Sequence, residues 1–278
     1  MGFLEKLNGA VKRNQSLVCV GLDPDPQRLP AHLKGGADSV QAFLRETIHA
    51  TRDLVCCYKL NFAFYGALGA AGWNTLREGM QAIPDDLPTI LDFKAGDIGN
   101  TAEHYARMAY DRLNVDATTV NPLMGRDAVE PFLNYTDRCA FLLCLTSNPG
   151  SADFQRLATE EDVLYKVLAK KAVVWSAIGP CGLVVGATHP NELRVIRELA
   201  PDLPFLIPGV NTQGGDAKSV VQNGMGHSSG GILVNASRSI LYASGGRDFA
   251  DAARRATEAL RKALNQAVEP VSESRLRG

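Results

Sequence analysis

No apolar stretch in these 278 residues reaches the length of a bilayer-spanning helix, and the formal net charge is only -1. The first absence removes helical membrane proteins from consideration. The second gives no support to nucleic acid or an anionic membrane as partner, since both call for a basic stripe. A small anionic substrate remains open, because one well-placed arginine suffices for it. The start, Met1-Gly2-Phe3-Leu4-Glu5-Lys6-Leu7, reads as a short amphipathic helix with no export signal. Five histidines (His32, His49, His104, His189 and His227) lack ligand-like spacing, so no metal site is expected. The six cysteines, Cys19, Cys56, Cys57, Cys139, Cys144 and Cys181, form no convincing metal-ligand pair. Most lie in apolar runs, where cysteine behaves as a small hydrophobe, which suits a reducing, cytoplasmic compartment. A G-x-S-x-G elbow is missing, which weakens serine hydrolysis, and no P-loop pattern points to a nucleoside triphosphate.

What is present is a rhythm. Short apolar runs at 17–22, 54–60, 89–93, 117–120, 139–145, 182–186, 205–207 and 231–235 alternate with longer helical patterns. These runs are continuously apolar, as strands covered on both faces must be. Helical periodicity follows at 40–54, 66–82, 102–113, 128–135, 160–172, 191–199, 216–222 and 250–266. Eight β-then-α units predict a single-domain α/β fold, a (β/α)8 TIM barrel over residues 1–269. The charged stretch 270–278 is expected as a disordered tail. Two segments look like functional rim: the long connection between 146 and 181, and the glycine-rich stretch 209–230, which includes His227.

The strongest chemical signal is Leu91-Asp92-Phe93-Lys94-Ala95-Gly96-Asp97-Ile98-Gly99-Asn100-Thr101, directly after an apolar run. Buried charges are costly and persist when paired or used, so this run is expected to close a buried strand and open an active site. Asp92 and Lys94 share strand parity, which allows both side chains to point into the barrel mouth. Lys59 and Asp23 end other apolar runs, and together the four groups would form a mutually neutralising network. Each has a plainer reading: Lys59 as a snorkelling side chain, Asp23 as a turn former, Asp97 as a helix cap. Glycine-rich backbone at Pro208-Gly209-Val210-Asn211-Thr212-Gln213-Gly214-Gly215 and an arginine in Asn235-Ala236-Ser237-Arg238 suit the phosphate site that barrels build after their last two strands. A Schiff-base aldolase and a phosphometabolite sensor remain alternatives on these residues alone.

Asp92-Phe93-Lys94-Ala95-Gly96-Asp97-Ile98 with Thr101 resembles the D-x-K-x-x-D-I-x-x-T signature of the orotidine 5'-phosphate decarboxylase family. The resemblance extends from Gly21-Leu22-Asp23 to Arg238. Thr146-Ser147-Asn148-Pro149-Gly150 and Pro208-Gly209-Val210 are similar to the longer bacterial branch. It implies a barrel homodimer in pyrimidine nucleotide synthesis that converts orotidine 5'-phosphate to UMP and CO2 without metal or organic cofactor. By that resemblance Lys94 is the proton donor to C6 and Asp92 sits beside the reactive carboxylate. Lys59 completes the array and contacts ribose, Asp23 binds a ribose hydroxyl, and Asn61, two residues past Lys59, is a further neighbour. Asp97 and Thr101 serve the partner subunit's site, Ser147 contacts the pyrimidine, and Gln213 and Arg238 grip the phosphate.

Overall fold

The computed structural model describes residues 1–34, 37–210, 216–226 and 231–275. Eight parallel strands close into a barrel in sequence order, β8 returning to β1 through Val18↔Val234. In chain order the elements begin with α1 (Phe3–Asn14), β1 (Val18–Gly21), α2 (Ala37–Thr51), β2 (Cys57–Asn61), α3 (Phe62–Gly66) and α4 (Ala70–Gln81). Next come β3 (Thr89–Ala95), α5 (Gly99–Arg107), β4 (Ala117–Val120), α6 (Arg126–Leu133), β5 (Cys139–Leu145), α7 (Ser151–Phe154) and α8 (Leu164–Trp175). The chain ends with β6 (Cys181–Val185), α9 (Pro190–Leu199), β7 (Phe205–Pro208), α10 (Ala217–Gly224), β8 (Ile232–Ala236), α11 (Arg238–Leu241) and α12 (Phe249–Arg275). The expected boundary at 269 falls inside α12, whose backbone is helical to Arg275.

The strands agree with the apolar runs because both faces of each are covered. Outward side chains such as Val18, Val20, Leu60, Leu91 and Leu142 pack under the helices in one large cluster. Inward side chains, among them Cys19, Cys57, Ile90, Phe141 and Leu233, form a second cluster that fills the barrel. Phe3 and Leu7 of α1 close it from below, Phe3 standing edge-on to Phe141 with ring centroids 5.7 Å apart. Burying two such side chains contributes roughly 1.5–3 kcal/mol each. The plug fills the lower barrel, and the cavity that carries the charged groups lies at the strand C-terminal end.

Helix limits depart from periodicity where local geometry overrides it. The pattern 66–82 breaks into α3 and α4 because Gly69 takes φ +66, a left-handed conformation that ends one helix before the next begins. The pattern 160–172 starts late, at Leu164. Thr159 Oγ1 accepts the Glu161 and Asp162 amides, and a bridge joins Ala158 to Val163, which holds this stretch in a turn. In 102–113 the helix begins earlier and widens to a π turn over Met108–Arg112.

One charged side chain ties the far side of the barrel together. Arg197 of α9 is 6% exposed and stacks 3.5 Å from the Phe205 ring centroid. Its guanidinium donates to the carbonyls of Gly224 (2.8 Å), Ala200 (3.0 Å), Leu203 (2.7 Å) and Gly231 (2.7 Å). It thereby links α9, the end of α10 and the entries to β7 and β8. Arg197→Met keeps much of the stem but strands those carbonyls, so urea unfolding should show a loss of about 3 kcal/mol or more. A loss below about 1 kcal/mol would mean that water or backbone shifts replace the guanidinium.

Candidate active site

A cavity of about 400 Å³ opens at the C-terminal end of the strands. Its floor is the apolar plug, capped by Leu143, Val184 and Leu206, and its wall carries the charged groups. Asp23, Lys59, Asn61, Asp92, Lys94, Ser147 and Arg238 all line it, gathering residues up to 215 positions apart in sequence (238 − 23).

Lys59 on β2 is 4% exposed and so does not snorkel. Its ammonium donates to Asp92 Oδ2 at 2.9 Å and lies 3.8 Å from Asp23 Oδ1. Lys94 donates to the other Asp92 oxygen, Oδ1, at 2.6 Å, yet its side chain is 46% exposed against 5% for Lys59. One lysine is thus a buried counter-charge and the other an ammonium facing the cavity. Burial pushes the Asp92 carboxyl upward, but the Lys59 and Lys94 ammoniums outweigh it and hold the group well below the usual carboxylate range. For Lys59, burial favours the neutral amine, and Asp23 and Asp92 reverse that, leaving it above the ordinary lysine value. A lysine held charged in this way is no Schiff-base nucleophile.

Asp92 and Lys94 meet, though by a different route from simple strand alternation. Strand β3 loses register with β4 between Leu91 and Ala95, and Lys94 adopts φ +50, a left-handed backbone in which non-glycine residues are strained. Asp23 is fixed through its backbone: the Tyr242 hydroxyl donates to its carbonyl at 3.3 Å, and Tyr65 donates to the carbonyl of Leu22 at 2.8 Å. The turn role considered for Asp23 belongs instead to Asp25, whose carboxylate accepts the Gln27 amide. Asn61 Oδ1 caps α3 by accepting the Ala63 amide, and its own amide donates to Asp23 Oδ1 at 3.3 Å. Ser147 sits against Gly186, where a Cβ would approach the Ser147 amide nitrogen to 2.7 Å, so the residue just past β6 must be glycine. Arg238 opens α11 and is exposed, with no ion pair or side-chain hydrogen bond among the described residues.

Other expected residues are placed differently. Gln213 and His227 lie outside the described residues. Asp97 and Thr101 do not line the cavity of their own chain. Asp97 is not the α5 cap; that position is Ile98, whose amide donates to Asp97 Oδ1 at 2.8 Å. Thr119, which the sequence reading passed over, lines the cavity and bonds both Asp92 and the Lys94 amide. Asn235, also on the wall, accepts from the Cys19 thiol and donates to Ser237 Oγ. The available signal was strand parity: Thr119 lies two residues after inward-facing Ala117.

The sequence pattern of the orotidine 5'-phosphate decarboxylase / HUMPS family matches residues 16–255. An orotidine 5'-phosphate decarboxylase of Dehalococcoides mccartyi is 50% identical over 269 residues, covering 95% of this chain and 98% of that protein. One from Herpetosiphon aurantiacus is 46% identical over 268 residues, covering 95% and 99%. Among solved structures, the OMP decarboxylase of Leishmania donovani superposes with a TM-score of 0.81 at 38% identity, over 95% of this chain and all of that one.

The charge network has a pH signature. Because the folded state holds Asp92 below its unfolded value, its stabilisation is complete above about pH 4 and fades as pH falls toward the folded value. Lys59 acts with the opposite sign, stabilising below about pH 10 and losing that contribution as pH rises through its raised value. Asp92→Asn should therefore be less stable than wild type at neutral pH, with the gap narrowing between about pH 5 and pH 2 in urea titrations. A gap that stays constant across that range would show that Asp92 is not held ionised by its neighbours.

Proposed function

From the premise that this chain belongs to the orotidine 5'-phosphate decarboxylase / HUMPS family, we propose that it releases CO2 from orotidine 5'-phosphate and leaves UMP. The carrying observation is the Lys59–Asp92–Lys94 array, fixed at the strand ends with Lys94 by far the most exposed of the three. Loss of CO2 places an electron pair in an sp² orbital at C6, where the ring does little to delocalise it. Lys94 supplies a fixed positive charge as that pair develops and then transfers a proton to C6, forming the C–H bond of UMP. The neutral amine left behind regains a proton from solvent after product release. Proton transfer and fixed charge account for the whole step, in keeping with a reaction that takes no metal or organic cofactor.

The remaining roles extend the same reading. Arg238, exposed at the rim, takes the phosphate with Gln213; Asp23 and Asn61 take the ribose; Ser147 faces the pyrimidine. Binding energy from the phosphate, remote from C6, then serves to order the rim loops and exclude water. Residues 1–269 act as one catalytic unit. The protein works in the cytoplasm; all six cysteines are free and buried, and among the described residues no helix is long and apolar enough to cross a membrane.

The chain acts as a homodimer in which Asp97 and Thr101 complete the partner's site. Supporting this, Asp97 has no cation partner among the described residues, and the loops after β3 and β4 expose Ile98 (53%), Leu123 (70%) and Met124 (58%). Those loops touch, since a Cβ on Gly96 would lie 3.2 Å from that of Asn121. An apolar rim around an unpaired carboxylate suits a self-complementary contact.

Purified protein treated with EDTA should convert orotidine 5'-phosphate to UMP, followed by loss of substrate absorbance. Folded protein with no turnover would sink the decarboxylase reading. Lys94→Ala should fold and lose at least about 10³-fold in kcat, beyond which acid–base assistance alone does not reach far. Near-normal turnover would remove Lys94 from its role.

The dimer reading has a separate test. Lys94→Ala and Asp97→Ala subunits, each nearly inactive alone, should on mixing and reassociation recover up to about a quarter of wild-type sites, because mixed dimers regain one intact site. No recovery despite demonstrated subunit exchange would mean that both residues act within one chain.

A further inference from the structure

Thr119 closes a ring that the family signature does not include. Across the stretch where β3 slips against β4, Leu91 pairs with Thr118 and Ala95 with Val120, so Asp92, Phe93 and Lys94 together face Thr119 alone. The ladder cannot supply a carbonyl for every amide there. The Lys94 amide donates instead to Thr119 Oγ1 at 3.0 Å. A threonine hydroxyl has one proton, and this one goes to Asp92 Oδ1 at 2.9 Å, the same oxygen that accepts the Lys94 ammonium. Backbone and side chain of Lys94 are therefore tied to one hydroxyl–carboxylate pair, and Thr119 itself is 1% exposed.

We propose that Thr119 is a positioning residue for proton transfer, holding Lys94 in its left-handed backbone and Asp92 Oδ1 in place by a single bridging hydroxyl. The inference rests on the decarboxylase reading above and adds a residue to it. Lys94 is not glycine, so its φ of +50 persists only if surrounding contacts impose it. The Thr119 oxygen accepts the Lys94 amide directly. Without it the amide loses that acceptor, the backbone is freer to relax toward the ordinary strand region, and the ammonium leaves the position from which it must meet C6. Ribose and phosphate contacts lie elsewhere on the wall, so ground-state binding is not expected to follow.

The test is Thr119→Val, which keeps the branched shape and removes the hydroxyl, beside Thr119→Ser, which keeps the hydroxyl. For Val, kcat should fall about 10- to 100-fold, the scale of a displacement of about 1 Å in a catalytic group. KM for orotidine 5'-phosphate and the Kd for UMP should stay within about threefold, the pattern of an interaction felt in the transition state. Ser should recover kcat to within about threefold of wild type. Equal losses in kcat and UMP affinity, or a Ser variant as impaired as Val, would overturn the proposal in favour of a purely structural threonine. Val turning over like wild type would overturn it as well. If Val does not fold, Thr119→Ala is read against Ser by the same criteria. Wild-type turnover in the same assay separates this outcome from failure of the decarboxylase reading, which would leave wild type itself inactive.

Discussion

The constraint on which the rest depends is electrostatic: four charges stand at the mouth of an otherwise apolar barrel and must neutralise one another. Lys59 is nearly inaccessible, and an unpaired ammonium at that depth would be neutral or unfolding. Asp92 holds it at 2.9 Å and holds Lys94 at 2.6 Å through its other oxygen, with Asp23 3.8 Å from Lys59. The sum over two lysines and two aspartates is zero. Such an arrangement holds Asp92 below the usual carboxylate range and Lys59 above the ordinary lysine value, and it depends on where each carboxylate oxygen is placed.

The barrel supplies that placement by layers. Below the charged layer, Cys19, Ile90, Phe141 and Leu233 fill the interior, and α1 seals it with Phe3 and Leu7. Above it, hydroxyl groups from elements distant in sequence fix the strand ends. Tyr65 and Tyr242 hold the chain around Asp23, and Thr119 holds the slipped end of β3. On the opposite wall Arg197 performs the same service for the entries to β7 and β8, which carry the loops assigned to phosphate. In both places the strand ends are held by polar groups satisfied within the chain, which makes the arrangement cooperative.

How much of this was readable beforehand follows from which forces act locally. Strands buried on both faces must be apolar throughout, so 117–120 and 139–145 were placed to the residue. Charge at the end of such a run cannot be hidden, which is why Asp92, Lys94 and Lys59 stood out. Helix limits were less readable. Gly69 and the Thr159–Val163 turn act through backbone geometry that periodicity does not encode. Thr119 and Arg197 were silent for another reason. A threonine inside a strand and an arginine on an amphipathic helix look ordinary, and the partners that give them their importance include Lys94, 25 residues from Thr119, and Gly231, 34 residues from Arg197. Asp97 and Thr101 mark a different boundary: within one chain they do not line the cavity, so intrachain geometry gives them no place in it.

The same geometry bears on how the array would act on substrate. Ground-state stress needs an aspartate whose negative charge is felt by the substrate carboxylate. Asp92 already accepts from three donors, Lys59, Lys94 and Thr119, and its field toward the cavity is largely cancelled by them. Repulsion from Asp92 is therefore muted before substrate arrives. Lys94, by contrast, keeps nearly half its side chain open to the cavity while its position is fixed from both ends. Its charge is available to the electron pair that develops at C6, and no reorganisation is needed at that moment. Of the two devices, stabilisation of the developing carbanion is the one that this arrangement of atoms favours.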